Sequence, residues 1–189
     1  MPARRAELTD GAVLDVDFAI VGVGIAPETA LAESAGLAID DGVAVDAMGR
    51  ASAAGVWAAG DCASFPWRGR RIRLESVQNA IDQAEAVAAN IMGAETPYDA
   101  KPWFWSDQYD VKLQIAGLNR GYEQVVVRPG TRERAASHWY YANGALCAID
   151  AMNDPVAYMV GKRFLDLGAS ADPARIADPK ADLRALLRA

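Results

Sequence analysis

In the first part of the chain, up to Gly36, the apolar positions cluster in two short segments, 13–16 and 18–23. The first contains one carboxylate, Asp15, whereas the second is a continuous run without a polar side chain. Continuous runs of this kind are typical of strands in a sheet that is covered on both faces. The segment 28–35 is then helix-forming, with Pro27 suited to a first turn and Gly36 suited to a helix end. We therefore predict two strands and a helix here.

A second group of short elements surrounds one glycine and one carboxylate. Residues 37–45 alternate loosely and contain Asp41-Gly42, which indicates a tight turn in a small hairpin. The apolar run 56–59 predicts a further strand, which stops abruptly at Gly60 and Asp61. Because an unpaired carboxylate is costly to bury, we expect Asp61 to lie where this strand ends and not within it.

The clearest helical pattern lies between Ser76 and Gly93. Ser76 is placed as the N-cap and Gly93 as the C-terminal stop, and apolar residues recur between them at helical spacing. An ordinary amphipathic core helix explains this pattern. Its predicted buried face consists of Val77, Ala80, Ile81, Ala84, Val87, Ala88 and Ile91.

After a linker at residues 97–102, the pattern becomes one of antiparallel strands. The predicted strands are 111–116, 124–127, 137–141 and 145–151, with Asn143-Gly144 as a two-residue hairpin turn. Asp154 before Pro155 predicts a capped helix, and residues 182–187 predict a short closing helix. The expected buried face of the capped helix consists of Val156, Met159, Val160, Phe164 and Leu167.

Composition and charge narrow the class of protein. The 189 residues are 52% hydrophobic, which is enough for a substantial core, and the net charge of −6 argues against a nucleic-acid binder. With no apolar run of about 18 residues and no apolar signal segment, we expect a cytoplasmic protein and no membrane association. Cys62 and Cys147 form no C-x-x-C pair, so Cys62 is interpreted as a small buried side chain. His138 is the single histidine, so no metal site is expected.

The positive charge is concentrated in one place. Arg68, Arg70, Arg71 and Arg73 fall within a short stretch beside Trp67. A solvent-exposed hairpin tip is the simpler interpretation of this arginine cluster. A docking patch for an acidic partner protein is the alternative.

Gly60 and Asp61 are the strongest candidates for binding chemistry. Open α/β sheets place ligands beyond the carboxyl ends of strands, where glycine lets the backbone come close and a carboxylate accepts from a hydroxyl. A sugar or ribitol hydroxyl fits such a pair. Taken alone, however, Gly-Asp is also common at plain strand-to-turn junctions.

The surrounding motifs decide between these two interpretations. In chain order they are Asp41-Gly42-Val43-Ala44-Val45-Asp46, Arg50-Ala51-Ser52, Arg73-Leu74-Glu75-Ser76-Val77-Gln78-Asn79-Ala80 and Pro102-Trp103-Phe104-Trp105-Ser106-Asp107-Gln108-Tyr109. With Gly60-Asp61 among them, they closely resemble the flavin-dependent ferredoxin reductases of bacterial oxygenase systems, in the pyridine nucleotide-disulfide oxidoreductase superfamily. The resemblance extends from Gly11 to the C-terminus.

The resemblance implies an α/β fold, with the C-terminal part of an FAD- and NAD(P)-binding domain followed by an α+β reductase C-terminal domain with an antiparallel sheet. Residues 1–27 would end the NAD-binding domain, 28–99 would be the second half of the FAD-binding domain, and 100–189 the C-terminal domain. No strand followed by G-x-G-x-x-G occurs in the sequence. We therefore expect the C-terminal portion of a longer reductase, inactive by itself.

The resemblance also implies roles for individual residues. Gly60 and Asp61 would hold the ribitol of FAD. The start of the predicted helix would stabilise the reduced flavin at its pyrimidine edge, since a helix N-terminus favours negative charge. Glu75 would also contact the nicotinamide side. The residues that match this flavin-edge segment of the family are Glu75, Ser76, Val77 and Gln78.

Two further candidates come from the flanking motifs. Trp105 matches the family's tryptophan beside the flavin ring, whereas Trp103 fits a core aromatic residue equally well. Gly22 and Gly24 imitate a dinucleotide fingerprint but fail it, because Pro27 stands where a third glycine is required. In the family the corresponding glycine segment lies against NAD(P)H and near the flavin.

The activity implied is electron transfer from NADH, or NADPH, through FAD to a ferredoxin that serves an oxygenase. No catalytic acid, base or nucleophile is needed, because the flavin carries the chemistry. A homodimer is a second partner to consider. Two alternatives stay open: a non-enzymatic module for dimerisation or partner binding, and a related flavoprotein that reduces a small acceptor.

Overall fold

The computed structural model describes residues 4–188, and its first part contains two small sheets. The strands β1 (Arg5–Glu7) and β2 (Val13–Asp15) pair with each other in antiparallel fashion. The second sheet has the order β3-β4-β5, with a parallel β3-β4 pair and an antiparallel β4-β5 pair. The remaining elements are α1 (Ala30–Ser34), β3 (Val43–Ala44), a 3₁₀ turn (Gly60–Cys62), β4 (Ala63–Trp67), β5 (Arg70–Arg73) and α2 (Val77–Ile91).

The second part is a five-stranded antiparallel sheet covered on one face by helices. Its strand order is β6-β7-β10-β9-β8. The strands are β6 (Trp103–Gln108), β7 (Val111–Gly117), β8 (Gln124–Pro129), β9 (Ala136–Ala142) and β10 (Ala145–Met152). The helices are α3 (Pro155–Leu167), α4 (Pro173–Ala177) and α5 (Leu183–Leu186). The predicted mixed α/β architecture with an antiparallel C-terminal sheet is confirmed.

Local sequence features correctly predicted a hairpin turn and the start of helix α3 in this second part. Asn143 and Gly144 have φ values of 51° and 73°, which is the backbone of the predicted two-residue hairpin turn. The carboxylate of Asp154 accepts a hydrogen bond from the Ala157 N–H at 3.0 Å, so the predicted cap of α3 forms with Pro155 at its start. The helix ends at Gly168, whose φ is 62°.

The buried face of α3 is only partly the predicted one. Val160 and Phe164 are buried, but Met159 is 67% exposed and Leu167 is 56% exposed. The helix also buries Ala157, Tyr158 and Gly161, which were not predicted to face the core. At Gly161 an added Cβ would lie 2.7 Å from a methyl carbon of Ile149, so only glycine permits this close approach.

Two strands predicted in the first part do not form. Residues 18–23 carry no strand, and Phe18, Ile20 and Val21 are each at least three-quarters exposed. An extended segment becomes a strand only by pairing, and this one has no partner within residues 4–188. Residues 56–59 form a single bridge, between Arg50 and Trp57. The helix predicted at 28–35 is also shorter and begins after Pro27, at Ala30.

The linker at 97–102 has no regular secondary structure, but it is packed against the first part of the chain. Ala100 is 1% exposed, and its carbonyl accepts a hydrogen bond from the Trp67 ring N–H at 2.9 Å. The Tyr98 N–H donates to the Ala47 carbonyl at 2.8 Å. The linker is therefore a fixed connection. No helix within residues 4–188 has both the length and the apolar character to cross a membrane.

Unfolding is expected to become easier above pH 10. Burial raises the pKa of Tyr141 to about 12, and burial together with neighbouring carboxylates raises the pKa of Tyr98 and Tyr140 to about 12. The unfolded chain releases these protons near pH 10, whereas the folded chain retains them. Stability should therefore be unchanged below about pH 10 and fall as the pH rises towards 12. Denaturant midpoints measured across this range test the expectation, and Tyr141→Phe should flatten the decline.

Candidate functional site

Asp61 lies in a 3₁₀ turn that leads into β4. The predicted strand ahead of it is absent, so the turn of Gly60–Cys62 and not a strand end positions the carboxylate. The side chain of Asp61 is exposed and makes no hydrogen bond to any residue in the described part of the chain. Cys62 was predicted to be buried, and this is wrong: it is exposed, because the turn directs it outward. The Asp61 carboxylate is thus available to a ligand.

Gly60 fixes this turn against helix α2. Its N–H donates to the Gln83 side-chain oxygen at 2.8 Å, and Gln83 is only 1% exposed. A Cβ added to Gly60, whose φ is 78°, would lie 3.4 Å from the Ala80 Cβ. The backbone before Asp61 is therefore held at van der Waals distance from the second turn of α2 by a buried hydrogen bond.

Helix α2 forms over the predicted residues but buries a different face, which shares only Val87 with the predicted one. Val77, Ile81 and Ile91 are each about half exposed or more, which contradicts the predicted burial of these three residues. The buried residues of the helix are mostly polar: Asn79, Gln83, Val87 and Asn90. The apolar stripe of α2, defined here as Val77, Ile81, Ala84, Ala88 and Ile91, lies on the surface.

A network of buried amides explains this orientation. Tyr98 donates its hydroxyl hydrogen to the Asn79 side-chain oxygen at 3.1 Å, and the Asn79 amide donates to the Leu74 carbonyl at 3.2 Å. Further along, the Asn90 amide donates to the Met48 carbonyl at 3.0 Å. Each buried amide thus finds a partner, which removes the cost of burying it. The helical spacing of Asn79, Gln83 and Asn90 was the sequence signal for this face.

The segment predicted to meet the flavin edge lies at the start of α2. Ser76 is the N-cap, as predicted, and its hydroxyl accepts a hydrogen bond from the Asn79 N–H at 3.1 Å. Val77 is exposed, and the amide of Gln78 donates to the carboxylate of Asp82. The free N–H groups of this first turn and their positive dipole end suit an electron-rich ligand edge.

A cleft joins this helix start to the aromatic strand β6. Glu75 and Ser76 line one side of it, Trp103 and Phe104 line the other, and its volume is about 240 Å³. Trp105 does not line the cleft, but its ring stacks on that of Trp103 with centroids 5.4 Å apart. Trp103 also packs against the C-terminal core, as its interpretation as a core aromatic residue predicts, whereas a contact between Trp103 and a cofactor stays a prediction. The cleft has room for part of a ring system but not for a dinucleotide.

Two predicted site residues lie away from this group. Gly22 and Gly24 are exposed in the segment between β2 and α1, and no hydrogen bond or cavity lining in the described chain connects them with Asp61 or α2. Gly24 has a φ of 114°, a conformation that glycine adopts without strain. The structure thus groups Gly60, Asp61 and the start of α2, but not the glycine segment.

The four arginines of the cluster form two pairs that differ in their contacts. Arg68 and Arg70 flank the β4-β5 turn and lie over the Trp67 ring, 4.6 and 5.6 Å from its centroid. Arg71 instead donates to the Val45 carbonyl at 3.0 Å and pairs with a carboxylate. Arg73 bonds to two carboxylates and a carbonyl near Asp61. The predicted hairpin tip is confirmed, and only its first pair of arginines is free for a partner.

Comparison with known families and proteins agrees with the resemblance seen in the sequence. Residues 3–84 match the pyridine nucleotide-disulphide oxidoreductase family, and residues 103–187 match the reductase C-terminal family. The ferredoxin reductase subunit of 5,5'-dehydrodivanillate O-demethylase from Sphingobium sp. is 41% identical over 99% of the chain, which spans 46% of that protein. The domain boundaries proposed after residues 27 and 99 stay predictions.

Two solved structures are similar in fold as well as in sequence. The ferredoxin reductase for the CYP199A2 system of Rhodopseudomonas palustris has a TM-score of 0.88 and 42% identity, covering 96% of this chain and 46% of that one. Putidaredoxin reductase, in its covalent complex with putidaredoxin, has a TM-score of 0.85 and 34% identity, covering 95% and 44%. The chain spans about half the length of the relatives that it matches. Over nearly its whole length it is similar to ferredoxin reductases, and its two parts match the pyridine nucleotide-disulphide oxidoreductase family and the reductase C-terminal family in that order.

Proposed function

We propose that this chain is part of an FAD-dependent reductase that has about the same length as its relatives. The complete enzyme takes electrons from NADH and passes them to a ferredoxin of an oxygenase system. One observation carries this proposal. The exposed Asp61 carboxylate, the capped start of α2 and the aromatic cleft lie in one region, in a chain that matches two families found in reductases.

The donor set of this region fits FAD. Asp61 offers an acceptor for a ribitol hydroxyl, and Gly60 keeps the backbone beside it close to α2. The first turn of α2, from Ser76, offers N–H groups and a positive dipole end to the pyrimidine side of the flavin. Trp105 would shield the ring from water. The glycine segment at Gly22 and Gly24 would face NAD(P)H.

This donor set assigns different roles to FAD and to the protein residues. FAD, when bound, supplies the chemistry of accepting a hydride and releasing single electrons. The residues of this chain bind and orient, and none needs to move a proton. The start of α2 favours negative charge beside it, and Glu75, which lines the cleft, would contact the nicotinamide side.

A protein electron acceptor is supported by the similar reductase that is solved in complex with putidaredoxin. Arg68 and Arg70 offer an acidic ferredoxin a positive surface on an otherwise acidic chain. Both cysteines are free, which fits a cytoplasmic location. Homodimerisation stays a prediction without a surface assigned to it.

Reversing the charge of this pair tests the proposal. In the complete reductase, Arg68→Glu with Arg70→Glu should raise the KM for ferredoxin about fivefold at low salt, because exposed charges act chiefly on encounter. The salt dependence of the reaction should weaken as well. Steady-state rates at several ionic strengths with NADH as donor measure both effects.

Ferricyanide is the control acceptor, because it needs no docking surface and its reduction should stay normal. Unchanged ferredoxin kinetics in the double variant would place the docking surface elsewhere. A wild-type reductase that reduces ferricyanide but no ferredoxin would favour the small-acceptor alternative. A complete protein that binds no flavin would leave the non-enzymatic module as the better explanation.

A further inference from the structure

Arg73, the last residue of β5, connects three segments of the candidate site. Its side chain is only 9% exposed. The Nε atom donates to the Asp41 carboxylate at 3.2 Å, and Nη1 donates to the Asp61 backbone carbonyl at 3.2 Å and to the Glu75 carboxylate. One guanidinium therefore holds the 41–42 turn, the 60–62 turn and the residue that precedes the N-cap of α2.

The packing around Arg73 leaves little freedom for these segments. A Cβ added to Gly42 would lie 2.6 Å from the Cys62 carbonyl oxygen and 3.0 Å from the Cδ of Arg73. The φ of Gly42 is 119°, which further restricts the position to glycine. The two turns are thus in direct contact, and the arginine stem lies against Gly42.

Charge gives Arg73 a second role beside this mechanical one. Asp41, Asp61 and Glu75 carry three carboxylates around the site, and Arg73 bonds directly to two of them. Burial acts to lower the pKa of Arg73, but its bonds to Glu75 and Asp41 outweigh this effect and raise the pKa. The guanidinium therefore stays charged, and it compensates the Glu75 carboxylate at the mouth of the cleft.

Resting on the function proposed above, we propose that Arg73 is a positioning residue for the flavin. It holds the Asp61 turn against the start of α2, and it neutralises Glu75 where negative charge would oppose reduction of the ring. Its influence on the cofactor is therefore both geometric and electrostatic, and it acts through Asp61 and Glu75 without contact of its own. Arg120 is exposed, forms no ion pair within residues 4–188 and has no part in the proposed function, so it is the control position.

The test uses the complete reductase with three variants. Arg73→Gln should weaken FAD binding roughly tenfold, since charge-assisted bonds to two segments are lost. It should also lower the flavin midpoint potential, because Glu75 is then uncompensated. Arg73→Lys keeps the charge and should restore most of the potential but not the affinity, as lysine lacks the planar fork. Removing both charges, in Arg73→Gln with Glu75→Gln, should restore the potential alone.

The readouts are the FAD dissociation constant and the potential from a spectroelectrochemical titration, with Arg120→Gln expected to match wild type in both. A merely structural arginine would lower affinity and melting temperature in all three variants and leave the potential unchanged, which would overturn the electrostatic part of the inference. Wild-type affinity and potential in every variant would overturn the inference as a whole while the proposed function stands. Absence of FAD from the wild-type protein would overturn both.

Discussion

FAD binding to the complete reductase is expected to weaken about tenfold or more when Asp61 is replaced by alanine. The expected loss is that of a charge-assisted hydrogen bond to a ribitol hydroxyl, which contributes about 1.5 to 3 kcal/mol. The side chain is exposed and unbonded within residues 4–188, so its removal should not disturb the turn itself. Titration of the apoprotein with FAD, followed by flavin fluorescence, measures the dissociation constant.

Two further variants separate the ligand role of Asp61 from general charge effects. Asp61→Asn keeps the shape of the side chain and one acceptor oxygen. Its affinity for FAD should therefore lie between the affinities of Asp61→Ala and of the wild type. Glu85→Ala removes an exposed carboxylate from α2 and should leave the affinity unchanged. If the Asp61→Ala reductase binds FAD as tightly as the wild type does, Asp61 is only a turn residue and does not contact the cofactor.

Replacing Arg128 with methionine should cost the C-terminal domain about 3 kcal/mol of folding stability. Arg128 lies on the covered face of β8 and is 8% exposed. Its guanidinium donates to the carbonyls of Ile176, Asp178, Pro179 and Ala181, and so ties the α4-α5 connection to the sheet. Methionine fills part of the volume but leaves these carbonyls without their donor. Denaturant unfolding of this chain measures the loss.

Hydrogen exchange localises the effect of Arg128. Amides between residues 173 and 187 should exchange faster in the variant, because their segment is released from the sheet. Arg120→Met is the matched control, since Arg120 is exposed, and it should change neither stability nor exchange. Equal stability of the two variants would mean that water replaces the guanidinium at little cost.

Much of the C-terminal domain could be predicted because its signals are local. Asn143-Gly144 adopts positive φ at both positions, and Asp154 caps the helix that Pro155 begins, with no help from distant residues. Strand prediction failed for residues 18–23, since apolar character alone does not supply a pairing partner. Local sequence determines turns and caps, whereas pairing is a property of the whole fold.

The candidate site shows the same difference between local features, which the sequence predicts, and long-range contacts, which it does not. Asp61 and Ser76 could be found from motifs, and the structure places them in one region. Charge pattern could not separate Arg73 from Arg68 and Arg70, because the difference comes from Asp41, which is 32 positions away. The orientation of α2 was equally hidden, since its buried amides form hydrogen bonds with segments outside the helix.

The exposed apolar stripe of α2 also governs how copies of this chain behave in concentrated solution. A net charge of −6 produces a repulsion that acts over a Debye length, about 10 Å at 0.1 M salt. The stripe produces an attraction that acts only at contact, and salt does not screen it. Raising the ionic strength therefore shortens the repulsion and leaves the attraction, so the colloidal stability of the isolated chain should decrease as salt is added.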